Sequence, residues 1–291
     1  MEIQFNSGGQ LALNVLLGFL MFGVALDMRI ADLSKAFRRP KPVIAGLLAQ
    51  LIALPLVTLA LVHLATPPAT VALGLFLVAA CPGGNVSNYI SSLAKADIGL
   101  SVTLTTFTTL WCFILTPLGF NFWASLYGPT ASELREFQID QFQMVRTVIL
   151  LLALPIGLAI GLRHFLPDLI VRFKKPIQMA GGILFGLFVV AAVASNWQVL
   201  SAGAGLLFGY VVAHNALAFA AGFAVAAAFG LSWAEKGTVS IETGIQNSGL
   251  GLVLALNFFP GQMEMALVAA MWGVWHLISG SAVAGLFRLK G

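Results

Sequence analysis

Apolar runs long enough to cross a bilayer recur along the whole chain, separated by short clusters of charge, Pro and Gly. They predict nine membrane helices, centred near Gly18, Leu54, Cys81, Cys112, Leu154, Leu187, Ala216, Ile245 and Trp275. A crossing takes about 20 helical residues, so nine spans leave no room for a sizeable soluble domain. The N-terminal MEIQFNSGG carries Glu2 and no Lys or Arg, so no cleavable leader is expected and the first run is predicted to stay in the membrane.

The third and eighth runs break the apolar pattern. The third reads AACPGGNVSNYISSL, with Pro, Gly, Asn and Ser where hydrocarbon should be. The eighth opens on Ser232-Trp-Ala-Glu235, a capping box that starts a helix, and continues TVSIETGIQNSGLGLVLAL. Pairing spans one to four with spans six to nine matches these two anomalies, at offsets of roughly 160–170 residues throughout. Five crossings separate each pair, and an odd number inverts the second copy. The pattern therefore predicts two inverted-topology repeats, the first lacking its opening helix and span five unpartnered. A proline alone reads as a kink and a glycine pair as close packing. Interruptions at matching places, both rich in carboxamides, point instead to a binding site made of broken helices.

Composition fits this picture: 59% of the 291 residues are hydrophobic and 9% charged, which excludes a water-solvated globule and a disordered chain. With the N-terminus outside, the inner connections hold Arg29, Lys35, Arg38, Arg39, Lys41, Lys95, Arg163, Arg172, Lys174, Lys175, Lys236, Arg288 and Lys290, thirteen of fifteen basic residues. Only Arg135 and Arg146 fall outside, so the charge bias predicts N-terminus out and C-terminus cytoplasmic. The net charge of +4 reflects this inner surface and needs no nucleic acid partner. Cys81 and Cys112 read as free buried thiols. Absence of a GxGxxG or Walker loop argues against primary pumping, and absence of a GxSxG elbow against an intramembrane hydrolase built on the SGS beyond His276, so no catalytic residues are expected.

Ten of the eleven carboxylates fall in loops or near interfaces: Glu2, Asp27, Asp32, Asp97, Glu133, Glu136, Asp140, Asp168, Glu235 and Glu264. Glu242 does not. A carboxylate at mid-membrane costs at least about 2.5 kcal/mol, so it needs a proton, a basic partner or a cation, and no Lys or Arg lies deep enough. Gln246 follows one turn later, and Ser101, Thr105 and Thr108 form a hydroxyl stripe on span four, which alone would read as interhelical hydrogen bonding. Oxygen-only ligands suit a hard monovalent cation. At a break, the N–H end of one half-helix faces an anion and the carbonyl end of the other faces a cation, so one site could take both. His214 reads as an ordinary helix-to-helix hydrogen-bonding residue; His276, in the helix after the second break, is the better functional candidate.

At these residues the chain resembles the bile acid:sodium symporter family. CPGGNVSN at 81–88, LSVTLT at 100–105, ETGIQNSGL at 242–250 and VWHLISGS at 274–281 are similar to its most characteristic stretches, with MFGVALDM at 21–28 and the stretch from Gln50 to Pro55 matching more loosely. The resemblance implies sodium-coupled transport with two Na+ ions: a first site at Ser87, Asn88, Ser101, Thr105 and Glu242, and a second at Gln50, Glu242, Thr243, Ile245 and Gln246, with Thr243 and Ile245 offering backbone carbonyls. Asn85, Val86, Asn247 and His276 match substrate-facing positions.

The family fold implies crossing broken helices 3 and 8. It divides into a core of helices 2–4 and 7–9, about 42–125 and 203–287, and a panel of helices 1, 5 and 6, about 9–30 and 144–199, with substrate between them. Nine spans rather than ten is like the animal members. Departures are Leu51 and Leu54, where relatives often have Phe and Met, and Leu277, where Asn commonly follows the histidine. The expected function is sodium-driven symport of an organic anion, bile-salt-like or a small carboxylate such as pantoate or a 2-keto acid, by alternating access in a plasma (inner) membrane. The alternatives are a proton-coupled carrier using Glu242, or a non-transporting membrane receptor or enzyme.

Overall fold

The computed structural model describes residues 15–16, 18–23, 25–26, 39–136, 146, 149–195 and 197–290. Glu2, Asp27, Arg29, Asp32, Lys35, Arg38 and Asp140, each assigned a side of the membrane from the sequence, lie outside the described residues. Among those described, the regular structure is helical, apart from one isolated bridge between Gly83 and Gln246. Helical residues within 15–25 make α1. They are followed by α2 (Pro40–Ala65), α3 (Ala69–Ala80), α4 (Val86–Leu93), α5 (Ile98–Ser125), α6 (Gly128–Glu136) and α7 (Leu154–Phe165). The chain continues through α8 (Pro167–Ser195), α9 (Trp197–Ala228), α10 (Trp233–Gly244), α11 (Ser248–Phe258) and α12 (Met263–Lys290).

Pro40–Ala65, Ile98–Ser125, Gly205–Ala228 and Met263–Leu289 are long and apolar enough to cross a membrane. Among the described residues the structure is all-helical, with the long apolar helices of a membrane protein. α3 and α11 have a different character. Every residue of α3 from Val71 to Ala80 is buried, as are Leu250 to Ala255 of α11. A helix apolar on all sides belongs inside a bundle, and α3 packs between α5 and α12 while α11 packs on α12 and α3. One half of each interrupted element, α3 and α11, is thus interior, whereas α4 buries only Ser87, Ile90 and Ser91.

Local chemistry shapes the surrounding helices. In α2, Ala49–Ala53 widens into a π-helical turn just ahead of Pro55. The proline has no N–H for the Leu51 carbonyl, and a widened turn accommodates its ring. That turn carries Gln50. α9 and α10 approach closely at Gly222, where a Cβ would come within 2.7 Å of the Val239 carbonyl oxygen. At one end of the bundle Arg39 bridges Asp97, the N-cap of α5, at 2.7 Å and Glu235 of the predicted capping box at 2.6 Å, tying the starts of α2, α5 and α10 together.

Candidate functional site

α3 stops at Ala80 because Pro82 follows. The residue before a proline avoids helical angles, and Cys81 is extended at φ −70°, ψ 154°. The chain re-enters a helix with Asn85 as N-cap of α4. α10 stops at Gly244, Ile245 is extended at φ −125°, ψ 96°, and α11 restarts from Asn247, whose Oδ1 accepts from the Leu250 amide at 3.0 Å. The two interruptions lie against each other: the Gly84 amide donates to the Ile245 carbonyl at 3.0 Å and the Asn247 amide to the Pro82 carbonyl at 2.8 Å. This pairing satisfies backbone that hydrocarbon could not. Gly83 sits at the closest approach, where a Cβ would lie 2.6 Å from Glu242 Oε2 and 3.2 Å from Gln50 Nε2.

Glu242, in the last turn of α10, is fully buried. Its Oε1 accepts from Ser87 Oγ of α4, from Ser101 Oγ of α5 and from Thr105 Oγ1 of α5 at 3.0 Å. Its Oε2 lies 3.1 Å from Thr105 Oγ1 and 3.3 Å from Gln50 Nε2. Two helices, α4 and α5, and the π-turn of α2 thus deliver donors to one carboxylate. All of these donors are neutral, and among the described residues no Lys or Arg pairs with it. The hydrogen bonds satisfy its lone pairs and leave its charge unbalanced.

The neighbouring amides supply the complementary feature. Gln50 Nε2 also donates to the Glu242 carbonyl at 3.2 Å, and Gln246 Nε2 donates to the carbonyls of Glu242 at 3.2 Å and Thr243 at 2.9 Å. Every one of these partners is an oxygen acceptor, so each amide nitrogen is fixed and each amide oxygen must face the other way. Gln50 Oε1, Gln246 Oε1 and Asn88 Oδ1 are all buried, with no hydrogen-bond partner among the described residues. A buried acceptor without a donor costs about 1–3 kcal/mol. Oxygens of this kind beside an unbalanced carboxylate fit a hard cation such as Na+.

The sequence-predicted residues therefore divide. Gln50, Ser87, Ser101, Thr105 and Gln246 gather at Glu242. Asn88 lies one residue past Ser87 with its oxygen unpartnered. The Ile245 carbonyl accepts from Gly84, the Thr243 hydroxyl donates back to Val239 at 2.7 Å, and the Thr243 carbonyl accepts from Gln246 Nε2. Thr108 leaves the expected stripe, since its hydroxyl donates to the Leu104 carbonyl at 2.9 Å. Asn85 and Asn247 head the two half-helices on either side of the crossing, both partly exposed, with Val86 as the first residue of α4. Asn247 Nδ2 lies 3.8 Å from Met21 Sδ of α1. His276 is held in α12, 5% exposed, with Nδ1 unpartnered among the described residues. His214 makes the helix-to-helix bond expected of it, 2.6 Å from Thr58 Oγ1.

Two supports escape the sequence reading. Ser91 Oγ donates to Ser101 Oγ at 3.4 Å, backing a Glu242 donor. Asn215 of α9 donates to the Gly244 carbonyl at 2.8 Å, satisfying the broken end of α10, and its Oδ1 accepts from Ser279 at 2.6 Å. A carboxamide in the middle of span seven was the available signal for Asn215.

Comparison with known proteins places the chain in a family. The model of the Sodium Bile acid symporter family matches residues 14–203. The chain is 30% identical over 278 residues to the "Uncharacterized sodium-dependent transporter YocS" of Bacillus subtilis, covering 96% of this chain and 83% of that protein. It is 30% identical over 275 residues to the "Probable sodium/metabolite cotransporter BASS2, chloroplastic" of Oryza sativa subsp. japonica, covering 94% of this chain but 63% of the longer plant protein. A "Sodium-dependent organic anion transporter" of Bos taurus is 25% identical over 278 residues, covering 94% of this chain and 72% of its own length. On these matches the chain belongs to the sodium bile acid symporter family.

Proposed function

We propose that this protein is a sodium-driven symporter of an organic anion, with no catalytic activity. The observation that carries the reading is the pair of buried amide oxygens, Gln50 Oε1 and Gln246 Oε1, which have no donor among the described residues and belong to the amides that hold Glu242. Sodium supplies the missing charge and the missing partner together. One ion binds among Ser87, Asn88, Ser101, Thr105 and Glu242, and a second among Gln50, Glu242, Gln246 and the carbonyls of Thr243 and Ile245. The names of the relatives, which carry sodium dependence, metabolite cotransport and organic anion transport, favour the same class.

The anion binds across the crossing from the cations, at the N-termini of α4 and α11, where Asn85, Val86 and Asn247 lie and toward which His276 contributes. The positive end of each helix dipole favours negative charge there. Two sodium ions, the Glu242 carboxylate and a monovalent anion sum to zero, so the loaded site crosses the membrane without burying net charge. The substrate class is a small carboxylate or a bile-salt-like acid. Nine spans in two inverted repeats divide into the core and the panel with the boundaries given above, N-terminus outside and C-terminus cytoplasmic, in the plasma (inner) membrane. The Asn247 to Met21 contact marks the seam along which core moves against panel, which is the alternating-access step.

A thermal-shift screen of small acids on the purified protein, with sodium or potassium chloride, tests this reading. A ligand that binds only the native state raises the unfolding temperature according to its concentration over its dissociation constant. The expected result is stabilisation by sodium alone, and further stabilisation by at least one acid only when sodium is present. Equal responses in sodium and potassium would refute the coupling.

A further inference from the structure

Threonine in a helix ordinarily returns its hydroxyl to the carbonyl four residues earlier. Thr58, Thr103, Thr108, Thr238 and Thr243 all do so, at 2.7–3.2 Å. Thr109 and Thr116 of α5 do not. Both are 0% exposed, and neither Oγ1 has a hydrogen-bond partner among the described residues. Their position is not random. At about 100° per residue, Ser101, Thr105, Thr109 and Thr116 fall within an arc of roughly 80° on α5. The stripe begins at the two residues that donate to Glu242 and rises toward the Ser125 end of the helix, about 16 Å from Thr105 to Thr116. A second observation lies on the same turns. Pro117 sits inside α5 and has no N–H, which frees the carbonyl of Phe113.

Two buried hydroxyls without a protein partner among the described residues disfavour the fold, and valine would fill the same space without that cost. Neutral hydroxyl and carbonyl oxygens with no carboxylate bind a hard cation weakly, which suits passage rather than storage. We propose that Thr109 and, about 10 Å further along the helix, Thr116 with the Phe113 carbonyl form two successive oxygen-lined staging points through which a sodium ion travels to and from Glu242 by the Ser125 end of α5. This rests on the sodium reading above and extends it to a route that the family match does not assign.

Stopped-flow tryptophan fluorescence on the purified full chain, mixed with sodium chloride against a choline chloride background, separates route from destination. Thr109→Val and Thr116→Val are each expected to slow sodium association and sodium release together, by about fivefold for one lost oxygen ligand, with the equilibrium constant unchanged within about twofold. Thr109→Ser keeps the hydroxyl and should restore the unsubstituted rates. Unchanged rates in both valine variants overturn the proposal. So does equal slowing in Thr109→Val and Thr109→Ser, which would mean packing, and so does weaker equilibrium binding with faster release, which would place the hydroxyls in the final site. Absence of any sodium response in the unsubstituted chain instead overturns the sodium reading itself, and the staging points with it.

Discussion

Replacing Glu242 with glutamine is expected to abolish sodium-dependent transport in a protein that still folds. The substitution keeps the shape and one acceptor oxygen, so Ser87, Ser101 and Thr105 retain a target. It removes the only carboxylate in the site among the described residues. A cation about 4 Å from a carboxylate gains about 4 kcal/mol at an effective dielectric near 20, close to a thousandfold in affinity. The new amide also meets Gln50 Nε2 donor to donor where Oε2 now accepts at 3.3 Å, so Gln50 must turn and its oxygen leaves the second site. Both ion positions fail together. Sodium titrations of uptake should show no saturation in the range that saturates the unsubstituted protein. Unaltered sodium dependence would exclude Glu242 as a ligand.

Gly83→Ala should have the second-largest effect, through geometry alone. The added methyl would stand 2.6 Å from Glu242 Oε2 and 3.2 Å from Gln50 Nε2. Retreat of the backbone is opposed by the bonds on either side, Gly84 to Ile245 and Asn247 to Pro82. Overpacking of this kind costs about 1–3 kcal/mol, and here it falls on the groups that hold the ions, so sodium affinity should drop about ten- to hundredfold. Gly285→Ala is the control, since no atom lies within 4 Å of its added methyl. Sodium-dependent thermal stabilisation, measured on both variants, should be lost in the first and kept in the second. Equal retention in both would mean that the crossing tolerates a side chain at 83.

Much of this site was legible in the sequence because membranes leave few polar residues unexplained. Glu242 stood out as the one carboxylate away from water, and Pro82, Gly83, Gly84 and the two asparagines marked the breaks within a residue or two. Ser232 and Glu235 announced the start of α10 through a local rule that tertiary contacts did not override. What stayed hidden depends on three-dimensional choices. Gln50 was set beside Glu242 by the family resemblance alone; the π-turn that carries it there was not legible, since a proline five residues later does not by itself announce such a turn. Spacing put Thr108 in the hydroxyl stripe, but the nearest carbonyl decided its rotamer, and the stripe continues through Thr109 instead. The direction of the Gln50 and Gln246 oxygens, on which the cation reading turns, follows from which acceptors hold their nitrogens, and spacing carries no information about that.

The most direct measurement is uptake of a radiolabelled acid, chosen from the thermal-shift screen, into vesicles containing the purified protein. An inward sodium gradient should drive accumulation above equilibrium, reversal of the gradient should empty the vesicles, and Glu242→Gln should do neither. Equal accumulation with potassium in place of sodium, or accumulation driven by a pH gradient alone, would contradict sodium coupling at Glu242.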